Sequence, residues 1–399
     1  MRHIAFVTGN FPSRAHPNHG TFVRQLADAI AEQGVQCTVI HPRKLHTWWR
    51  ERRQDPTAGA GVGLGVRVHR PVTLSVSNRQ LGSFNTFAVT HYAFRRAAWR
   101  VLSRLPAKPD AVYGHFLYSA GATAVWAAQR LGRPGFVAVG EGTFWTLRPL
   151  GIERAKRDFA GMTGAVAVSS VLQRRLIREL GFPSEKVAVF PNGVDRRRFH
   201  PRDRLAMRRK HGLPEDRFLV IYVGNFIAPK GVQRVAAALD GLEGVSGVFV
   251  GSGPLTPKIP NLAFCGRVPH EQVPELLSAA DCFVLPSDVE GSSNATLEAM
   301  ACGLPVIVSD GEFNDDLVRQ GITGLRVAHK DIEAIRGAIG RLSSDPALRQ
   351  RLGAAAAQHG AELEIGRRAA GILAWMGGLA AEARVVHPET CCRAGEVPR

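Results

Sequence analysis

The chain has 399 residues, which is enough for two domains of ordinary size. Its composition, 45% hydrophobic and 21% charged, excludes an intrinsically disordered protein. A formal net charge of +17 predicts a surface that attracts phosphate groups on a nucleotide, an anionic lipid or a nucleic acid. No apolar run reaches the roughly 18 residues that span a bilayer, and the N-terminus lacks the long apolar core of a secretory signal. We therefore expect a cytoplasmic protein.

The first half of the chain alternates short apolar strands with amphipathic helices. A strand at 3–8 leads into a long polar loop, after which Phe22, Leu26 and Ile30 recur at helical spacing. Further strands are predicted at 111–115, in PGFVAVGEG and in GAVAVSS, with helices at 119–131 and in VLQRRLIREL. Helices between continuous apolar runs predict a parallel, doubly wound sheet, in which a long loop after the first strand tends to hold a ligand.

The turn-rich, charged stretch FPNGVDRRRFHPRDR interrupts this pattern, and the alternation begins again after it. Strands are predicted at 218–225, 247–254, 262–267, 282–287 and 305–310, and helices at 331–343 and roughly 346–375. The sequence thus predicts an α/β fold of two facing, Rossmann-like, doubly wound domains with a deep cleft between them. We place these domains at 1–190 and 191–365, with a C-terminal helix at about 366–385 that packs back on the first domain and a disordered tail at 386–399.

Histidine and cysteine residues form no pattern typical of a metal site. The six cysteines include no C-x-x-C pair, so we predict reduced core thiols and neither a zinc site nor a disulfide framework. His16 and His19 stand three apart in a Pro-Gly loop without a nearby carboxylate, which is a poor set of metal ligands. No metal and no cofactor is therefore expected.

A basic, tryptophan-rich stretch, HPRKLHTWWRERR at 41–53, is one of several arginine clusters. Arginine and tryptophan together suit the interface of an anionic membrane. The alternative is a solvated basic face that has no partner. The sequence contains no zinc finger, RRM signature or helix-turn-helix pattern, so nucleic acid is not an expected partner.

Glu290 and Glu298 flank the start of a small-residue helix, SNATLEAMAC, with seven residues between them. The unpaired N–H groups of the first turn and the helix dipole form an anion site that suits phosphate. Eight residues of continuous helix would separate the two glutamates by roughly 12 Å. A diphosphate with a sugar on each side fits this layout, with one carboxylate facing the transferred sugar and the other gripping ribose hydroxyls. The alternative is a chance pair in which a glutamate caps the helix or faces solvent.

Four predicted strands of the second half end in loops that open at the same edge of the sheet. These loops carry VGNFIAPKG with Lys230, VGSGP, FCGRVP and VLPSDVEG. Together with PNGVD and the N-terminal HGTFVRQLADAI, they resemble glycosyltransferase family 4, whose members have the GT-B fold. The resemblance is dense over 186–310, looser over 1–185 and absent from the tail.

The resemblance implies transfer of a sugar from a nucleotide diphosphate sugar to an acceptor hydroxyl, with retention of the anomeric configuration and usually without a metal. It implies that Glu290 contacts the donor sugar and stabilises the reacting centre, and that His115 lies near the same sugar. Lys230 would neutralise the diphosphate, and Glu298 would bind the ribose. The other donor-binding positions that it implies are Gly20, Asn225, Arg267, Val268, Gly291, Ser292, Ser293, Asn294, Ala295, Thr296 and Leu297.

Two positions depart from the family pattern. Asn225 stands where the family often has an arginine, so the diphosphate loses a cation unless another arginine replaces it. The sequence DGEFNDD at 310–316 replaces the usual Gly-Gly-x-Pro-Glu, which places Asn314 and Asp315 near the donor sugar and predicts a different selection of its hydroxyls. Glu141, at the end of another strand, either contacts the acceptor or caps the next helix.

We therefore predict a hexosyltransferase-type, retaining, metal-independent glycosyltransferase of bacterial cell-surface polysaccharide or glycolipid synthesis. Its expected partners are a nucleotide sugar, a sugar or lipid-linked acceptor and an anionic membrane surface on the inner face of the cell membrane. The alternatives are a sugar-nucleotide epimerase on the same fold and a non-catalytic nucleotide-binding protein. A pyridoxal-phosphate phosphorylase would need a much longer chain, and a dehydrogenase would need G-x-G-x-x-G at the first strand–helix turn.

Overall fold

The computed structural model of the chain describes residues 1–13, 16–51, 65–76, 78–82, 84–144 and 147–386. Within these ranges the chain forms two parallel sheets, one of seven strands and one of six, and each sheet packs against helices. Apart from Val386, the predicted tail at 386–399 lies outside the described residues, as do the last two residues of the basic, tryptophan-rich stretch.

The first sheet is built from apolar runs that are buried along most of their length. Its strands are β1 (His3–Thr8), β2 (Gln36–Ile40), β3 (Val66–His69), β4 (Ala111–His115), β5 (Gly135–Val139), β6 (Gly164–Ala167) and β7 (Val187–Val189). They pair in the order β7-β6-β5-β4-β1-β2-β3, and every pair is parallel. Because Thr8 pairs with His115 at the ends of β1 and β4, the loops after both strands open at the same edge of the sheet.

In the described part of the first half, six α-helices connect the strands. They are α1 (Thr21–Glu32), α2 (Leu45–Glu51), α3 (Phe87–Leu102), α4 (Ala122–Leu131), α5 (Ile152–Phe159) and α6 (Ser170–Leu180). The side chain of Ser169 accepts the N–H of Leu172 and so caps the start of α6. The helix predicted at 119–131 is regular only from Ala122, because Tyr118 has an extended backbone and widens the turn at Leu117–Gly121.

Two short strand pairs lie between β2 and α3. Arg43–Lys44 pairs in parallel with Val72–Thr73, and Gln80–Leu81 pairs with Phe84–Asn85 to form a small antiparallel hairpin. The N–H of Thr86 donates to the carbonyl of Arg79 at 3.0 Å, which closes the hairpin at the start of α3.

The second sheet is also parallel throughout. Its strands are β8 (Phe218–Val223), β9 (Val245–Val250), β10 (Leu262–Gly266), β11 (Cys282–Leu285), β12 (Val306–Ser309) and β13 (Gly324–Val327), paired in the order β10-β9-β8-β11-β12-β13. The helices of this half are α7 (Arg204–Lys210), α8 (Val232–Leu239), α9 (Val273–Ala279), α10 (Asn294–Ala301), α11 (Ile332–Ser344) and α12 (Pro346–Glu362). Because β8 and β11 are neighbours, the loops that follow them meet at the carboxyl edge of the sheet.

The last helix, α13 (Ile365–Val386), packs on α1 beside the first sheet. Ala369, Ile372 and Met376 are buried in the core that α1 shares with β1, β2 and β4. The chain therefore crosses twice between the two halves, once after β7 and once before α13. The domain boundary at 190/191 stays a prediction, since the segment between Val189 and Phe218 belongs to neither sheet.

The helical stretch predicted at roughly 346–375 consists of two helices, because the chain leaves the helical conformation between α12 and α13. The N–H of Val194 donates to the carbonyl of Leu363 at 2.9 Å, and the N–H of Ile365 donates to the carbonyl of Val194 at 3.0 Å. These bonds pair Glu364 with Val194 in a short parallel bridge, so an acceptor far away in the sequence ends the helix.

Candidate active site

A cleft of about 1460 Å³ separates the two halves of the molecule. The loop after β1 and helix α1 form much of its wall on the first half, and the loops after β8 and β10 contribute to the opposite wall. The second wall includes Asn225, Arg267 and Val268, all three of which were predicted to bind the donor, together with His270. Loops at the carboxyl ends of β1, β8 and β10 thus line one cavity, as expected for facing doubly wound sheets.

Lys230 and Glu290, which were both assigned to the donor, contact each other directly. The Lys230 Nζ donates to Glu290 Oε1 at 2.5 Å, and the Ser287 hydroxyl donates to the same oxygen at 2.7 Å. Only 11% of the Glu290 side chain and 28% of the Lys230 side chain are exposed. The structure therefore brings a lysine from the loop after β8 and a glutamate from the loop after β11 into one half-buried ion pair.

Gly231 allows these two loops to approach closely. Its backbone has a φ of 74°, in the left-handed region, and a Cβ there would lie 2.5 Å from the carbonyl oxygen of Pro286. Any larger residue would push the loop that carries Lys230 away from the loop that carries Glu290. The glycine after the lysine thus has a packing reason as well as a conformational one.

Helix α10 begins directly after the loop of Glu290. The Ser293 side chain caps it by accepting the N–H of Thr296 at 3.2 Å, and the Leu297 N–H donates to the Ser293 carbonyl. The side chains of Thr296 and Leu297 are buried. The N–H groups of Asn294 and Ala295, which have no intrahelical acceptor, are therefore the backbone donors of this turn that suit an anion.

Hydrogen bonds through His270 and Arg198 connect Glu298 with the cleft. The His270 Nε2 lies 3.3 Å from Glu298 Oε1, and the His270 Nδ1 lies 3.1 Å from an Arg198 guanidinium nitrogen. Because a guanidinium can only donate, Nδ1 must accept, which leaves the ring proton on Nε2 to donate to Glu298. The Phe199 ring packs edge-on against the imidazole at a centroid distance of 5.6 Å. The carboxylate assigned to the ribose is thus held by a histidine that lines the cleft.

The sequence interpretation missed His270 and Arg198. His270 comes three residues after Arg267, which was assigned to the donor base, so its place at a strand end was a usable signal. Arg198 lies in the turn-rich stretch between the two sheets, and nothing in its local sequence connects it with Glu298. Its role is visible only once the fold brings it to within hydrogen-bonding distance of His270.

The loop of Glu290 also contacts the first half of the molecule. A Cβ on Gly291 would lie 2.0 Å from the carbonyl oxygen of Gly140, and a Cβ on Gly142 would lie 2.9 Å from the carbonyl carbon of Glu290. The Asn192 side chain donates to the carbonyl of Ser292 at 3.1 Å. These contacts place the end of β5 directly against the loop of the candidate catalytic glutamate.

Glu141 lies in this contact region, but both of its carboxylate oxygens are occupied. One accepts the N–H of Leu117 at 2.7 Å and the other accepts the N–H of Gly140 at 3.2 Å. Burial raises the pKa of this carboxyl to about 7, although these N–H donors oppose the shift. Glu141 thus caps a turn, which matches neither predicted role, and its contact with the acceptor stays a prediction. The cap lies on the preceding turn at Leu117, not on the helix that follows.

His115 and Gly20 are packed behind the wall of the cleft. His115 is 4% exposed, and its ring lies against Phe22 and Phe116 at centroid distances of 5.3 and 5.2 Å. Burial, and to a smaller extent the charge of Arg368, lower the pKa of His115 to about 3, so the ring is neutral. Gly20 has a φ of 72°, and a Cβ there would lie 2.5 Å from the carbonyl carbon of Asn10. Gly20 packs against the loop after β1, and His115 packs against the residue that follows β4.

The segment that replaces Gly-Gly-x-Pro-Glu is held by other contacts. The Asn314 side chain is 2% exposed and donates to the carbonyl of Ser309 at 2.8 Å. Asp315 lies 2.6 Å from a guanidinium nitrogen of Arg326. The side chains of Asn314 and Asp315 are thus engaged by their own half, which gives no support to the expectation that they select donor hydroxyls.

The next residue of that segment, Asp316, reaches across to the first half of the molecule. It accepts the N–H of Ser170 at 2.7 Å and the Ser170 hydroxyl at 3.0 Å. A carboxylate from the second half therefore sits at the start of α6, where the helix dipole favours negative charge.

The described residues contain neither a cluster of metal ligands nor a helix able to cross a membrane. In that part of the chain, no three His, Cys, Asp or Glu side chains are grouped so that they could hold a metal ion. Among the same residues, no helix has both the length and the apolar character required to cross a bilayer.

Two protein-family models match the chain. The model for glycosyltransferase family 4 matches residues 19–198, and the model for glycosyl transferases group 1 matches residues 203–359. The chain belongs to glycosyltransferase family 4. The two matches divide the family 4 chain at the same segment that separates its two sheets.

Relatives of this family 4 glycosyltransferase are similar over most of their length. A Bacillus subtilis protein, TuaC, described as a teichuronic acid biosynthesis glycosyltransferase, is 29% identical over 322 residues, or 77% of this chain and 80% of TuaC. A GDP-mannose-dependent alpha-(1-6)-phosphatidylinositol monomannoside mannosyltransferase of Mycolicibacterium smegmatis is 29% identical over 377 residues, or 88% of this chain and 92% of the relative.

Solved structures confirm the GT-B fold. A sucrose-phosphate synthase from Thermosynechococcus elongatus has a TM-score of 0.77 at 20% identity and covers 97% of this chain and all of its own. The Anabaena protein HepE, solved in complex with UDP, has a TM-score of 0.72 at 15% identity and covers 95% of this chain. At such low identity these similarities concern the fold alone.

Proposed function

We propose that the chain is a retaining hexosyltransferase that moves a sugar from a nucleotide diphosphate sugar to a hydroxyl of a sugar or lipid-linked acceptor. The observation that supports this most is the contact between Lys230 and Glu290 at the start of α10. The two side chains supply a cation for a leaving diphosphate and a carboxylate for a cationic sugar. The unpaired backbone N–H groups at the start of α10 add donors for the phosphates. The names of TuaC and of the mycobacterial relative point to a cell-surface polymer or glycolipid as the product.

Lys230 stabilises the leaving group in this proposal. Cleavage of the bond between the anomeric carbon and the diphosphate places negative charge on the phosphate oxygens. The Lys230 ammonium and the N–H groups of Asn294 and Ala295 offer positive potential for that charge, so the reaction requires no divalent cation. Lys230 donates to Glu290 at 2.5 Å, so its contact with the phosphate oxygens must replace or share that partner.

Glu290 acts on the other product of bond cleavage, the cationic sugar. Its carboxylate stabilises the positive charge that develops at the anomeric carbon. The acceptor hydroxyl attacks on the face from which the phosphate departs, so the anomeric configuration is retained. The new bond joins the acceptor oxygen to the anomeric carbon, and a phosphate oxygen of the leaving group takes the hydroxyl proton. No separate base is needed.

Glu298 binds the ribose, and the nucleotide base lies beside Arg267 and Val268. His270 donates to Glu298 and orients its carboxylate, while the His270 ring itself faces the cleft. Arg198 and Arg267 line the same cleft as Asn225 and are the candidates to supply the cation that this position lacks.

The role of His115 at the donor sugar stays a prediction. Its burial behind Phe22 and Phe116 favours an indirect role, in which it supports the turn after β4 that Glu141 caps. A direct contact with the donor would require the Phe116 loop to move.

A donor screen tests the proposal directly. We expect one or more UDP-, GDP- or ADP-sugars to raise the melting temperature, since a ligand that binds only the native state stabilises it. The protein is then incubated with that donor, an acceptor and EDTA, and the anomeric configuration of the product is read by NMR. Failure of every nucleotide sugar to shift the melting temperature, or a product of inverted configuration, would contradict the proposal. An isomerised donor sugar formed without acceptor would favour an epimerase instead.

A further inference from the structure

We propose that the hairpin and the start of α3 form a docking surface for an anionic lipid bilayer. This docking patch consists of Leu74, Val76, Leu81, Phe84, Val89 and Tyr92. The inference deepens the proposed function, because it rests on a lipid-linked acceptor whose reactive hydroxyl enters the cleft from the membrane. The docking patch differs from the stretch at 41–53, whose contact with a membrane stays a prediction.

This region contains basic residues and no acidic ones. The sequence from Pro56 to Pro109 contains eight lysine and arginine residues and no aspartate or glutamate. Positive charge of this density adds attraction to an anionic bilayer with each residue near the surface. The net charge of the whole chain, +17, is therefore not spread evenly but includes one stretch without any acidic compensation.

Apolar side chains are unusually exposed in the same stretch. Of the 13 exposed large hydrophobic residues in the described part of the chain, the six of the docking patch fall within 19 consecutive positions. Leu74 is 60% exposed, Leu81 59% and Phe84 48%. Leu81 and Phe84 are cross-strand partners in the hairpin, so their side chains stand on the same face at its tip. Apolar groups held out at a tip in this way suit insertion into the interfacial region of a bilayer.

Hydrogen bonds hold the parts of the docking patch together. The Thr90 hydroxyl accepts the N–H of Val76 at 3.0 Å and lies 3.2 Å from the Val76 carbonyl, which fixes that strand end against the first turns of α3. Val89 and Tyr92 are three residues apart on α3 and thus share one face of the helix. The patch is therefore a continuous surface formed by the strand end, the hairpin and one helix face.

Arginine and aromatic side chains border the apolar groups. The Arg96 guanidinium donates to the Tyr92 hydroxyl at 3.2 Å, and the Arg95 guanidinium lies 4.8 Å from the centre of the Trp126 ring. Arg130 lies over the same indole at 4.6 Å. Aromatic rings with adjacent cations are the side-chain pairing that occupies the head-group level of a membrane.

The docking patch lies on the rim of the cleft. Along the strand after β3, Thr73 and Ser75 line the cleft, whereas Leu74 and Val76 are exposed. On α3, Thr90 and Phe94 line the cleft, whereas Tyr92 is exposed. A bilayer that contacts the exposed residues would thus lie beside the opening through which an acceptor head group must pass.

The combination of apolar and basic groups favours an anionic bilayer over a nucleic acid as the partner. A nucleic acid would use the arginines but gains nothing from an exposed Leu81 and Phe84, since its backbone offers no apolar surface at a duplex. An anionic bilayer satisfies both kinds of group, its head groups pairing with arginine and its acyl region receiving the apolar side chains.

The test is co-sedimentation of the full chain with vesicles of phosphatidylcholine alone and of phosphatidylcholine with one third phosphatidylglycerol. We expect binding to the anionic vesicles that weakens with salt and little binding to the neutral ones. Leu81→Ser with Phe84→Ser should weaken binding on the order of tenfold. Arg79→Gln with Arg96→Gln should weaken it roughly fivefold for each charge removed.

The matched control is Leu205→Ser with Ile322→Ser, which removes two exposed apolar side chains from the second half. These changes should leave vesicle binding unaltered, and all variants should keep the donor-induced rise in melting temperature. A wild-type chain that binds neither vesicle, or a control that loses binding as strongly as the hairpin variant, would overturn the inference while the donor shift leaves the proposed function standing. A dimer in solution that the hairpin variant dissociates would instead assign the patch to a second copy.

Discussion

The two halves of the molecule use the polar residues of their strand-end loops differently. On the second half, polar side chains pair with one another, as Lys230 does with Glu290 and His270 does with Glu298. On the first half, the groups predicted at the site serve the backbone or the core, as Glu141 accepts two N–H groups and His115 is buried. In the proposed function these pairs of side chains bind the diphosphate and the ribose, which are constant parts of a nucleotide sugar.

The largest expected effect is that of Glu290→Gln, which keeps the size of the side chain but removes its charge. We expect kcat to fall by about 10³-fold, because a group that acts on transition-state charge contributes on this order. The glutamine oxygen can still accept the Ser287 hydroxyl, so the melting temperature should stay near that of the wild type. Glu312→Gln, an exposed carboxylate paired with Arg174, is the control and should keep full kcat. A Glu290→Gln enzyme of undiminished kcat would refute the assigned role.

The second-largest effect is expected of Lys230→Ala, which should weaken the binding of the donor. We expect kcat/KM for the donor to fall by about 10²-fold, since one charge-assisted contact to the diphosphate is lost. The melting-temperature rise given by a nucleoside diphosphate should shrink, and that given by the bare nucleoside should not. Lys258→Ala removes an exposed lysine of the same half and should change neither value. An equal loss for diphosphate and nucleoside would show that Lys230 supports the fold rather than the phosphates.

The role of His270 depends on two partners, Arg198 and Glu298. His270→Phe should raise the donor KM by about tenfold with little change in kcat, as one hydrogen bond to a charged group is lost. His270→Gln can both accept from Arg198 and donate to Glu298, so it should recover part of this loss. Added to Glu298→Ala, His270→Phe should cost almost nothing further, because the two changes remove the same contact. Fully additive effects would separate His270 from the ribose.

The fold could be predicted from the sequence because its signals are local. Continuous apolar runs between amphipathic helices define the parallel sheets, and the glycine-containing strand ends define the edge where the cleft opens. The contact between Lys230 and Glu290 follows from the same logic, because β8 and β11 are neighbours in the sheet. These features can be predicted once the strand order of a doubly wound sheet is assumed.

What could not be predicted depends on contacts between distant segments. Arg198 reaches His270 across 72 positions of sequence, and Asp316 reaches Ser170 across 146. The break between α12 and α13 depends on Val194, although the sequence on both sides favours a helix. In each case the local sequence allows several outcomes, and the packing of the two halves selects one.

The smallest effect on catalysis is expected at Glu141 of the first half. A change there should affect the stability of the protein and not the donor step. Burial raises the pKa of Glu141 from 4.5 to about 7, so the native state binds a proton that the unfolded state has lost between these values. The stability due to this group is therefore fully present below pH 4.5 and is lost as the pH rises through 7. Relative to Glu141→Gln, which is neutral throughout, the wild type should lose roughly 1–3 kcal/mol of unfolding free energy between pH 5 and pH 8. Urea unfolding of both proteins at the two pH values measures this, and a constant difference between them would show that the carboxylate is already ionised at pH 5 and that the N–H groups of Leu117 and Gly140 outweigh its burial.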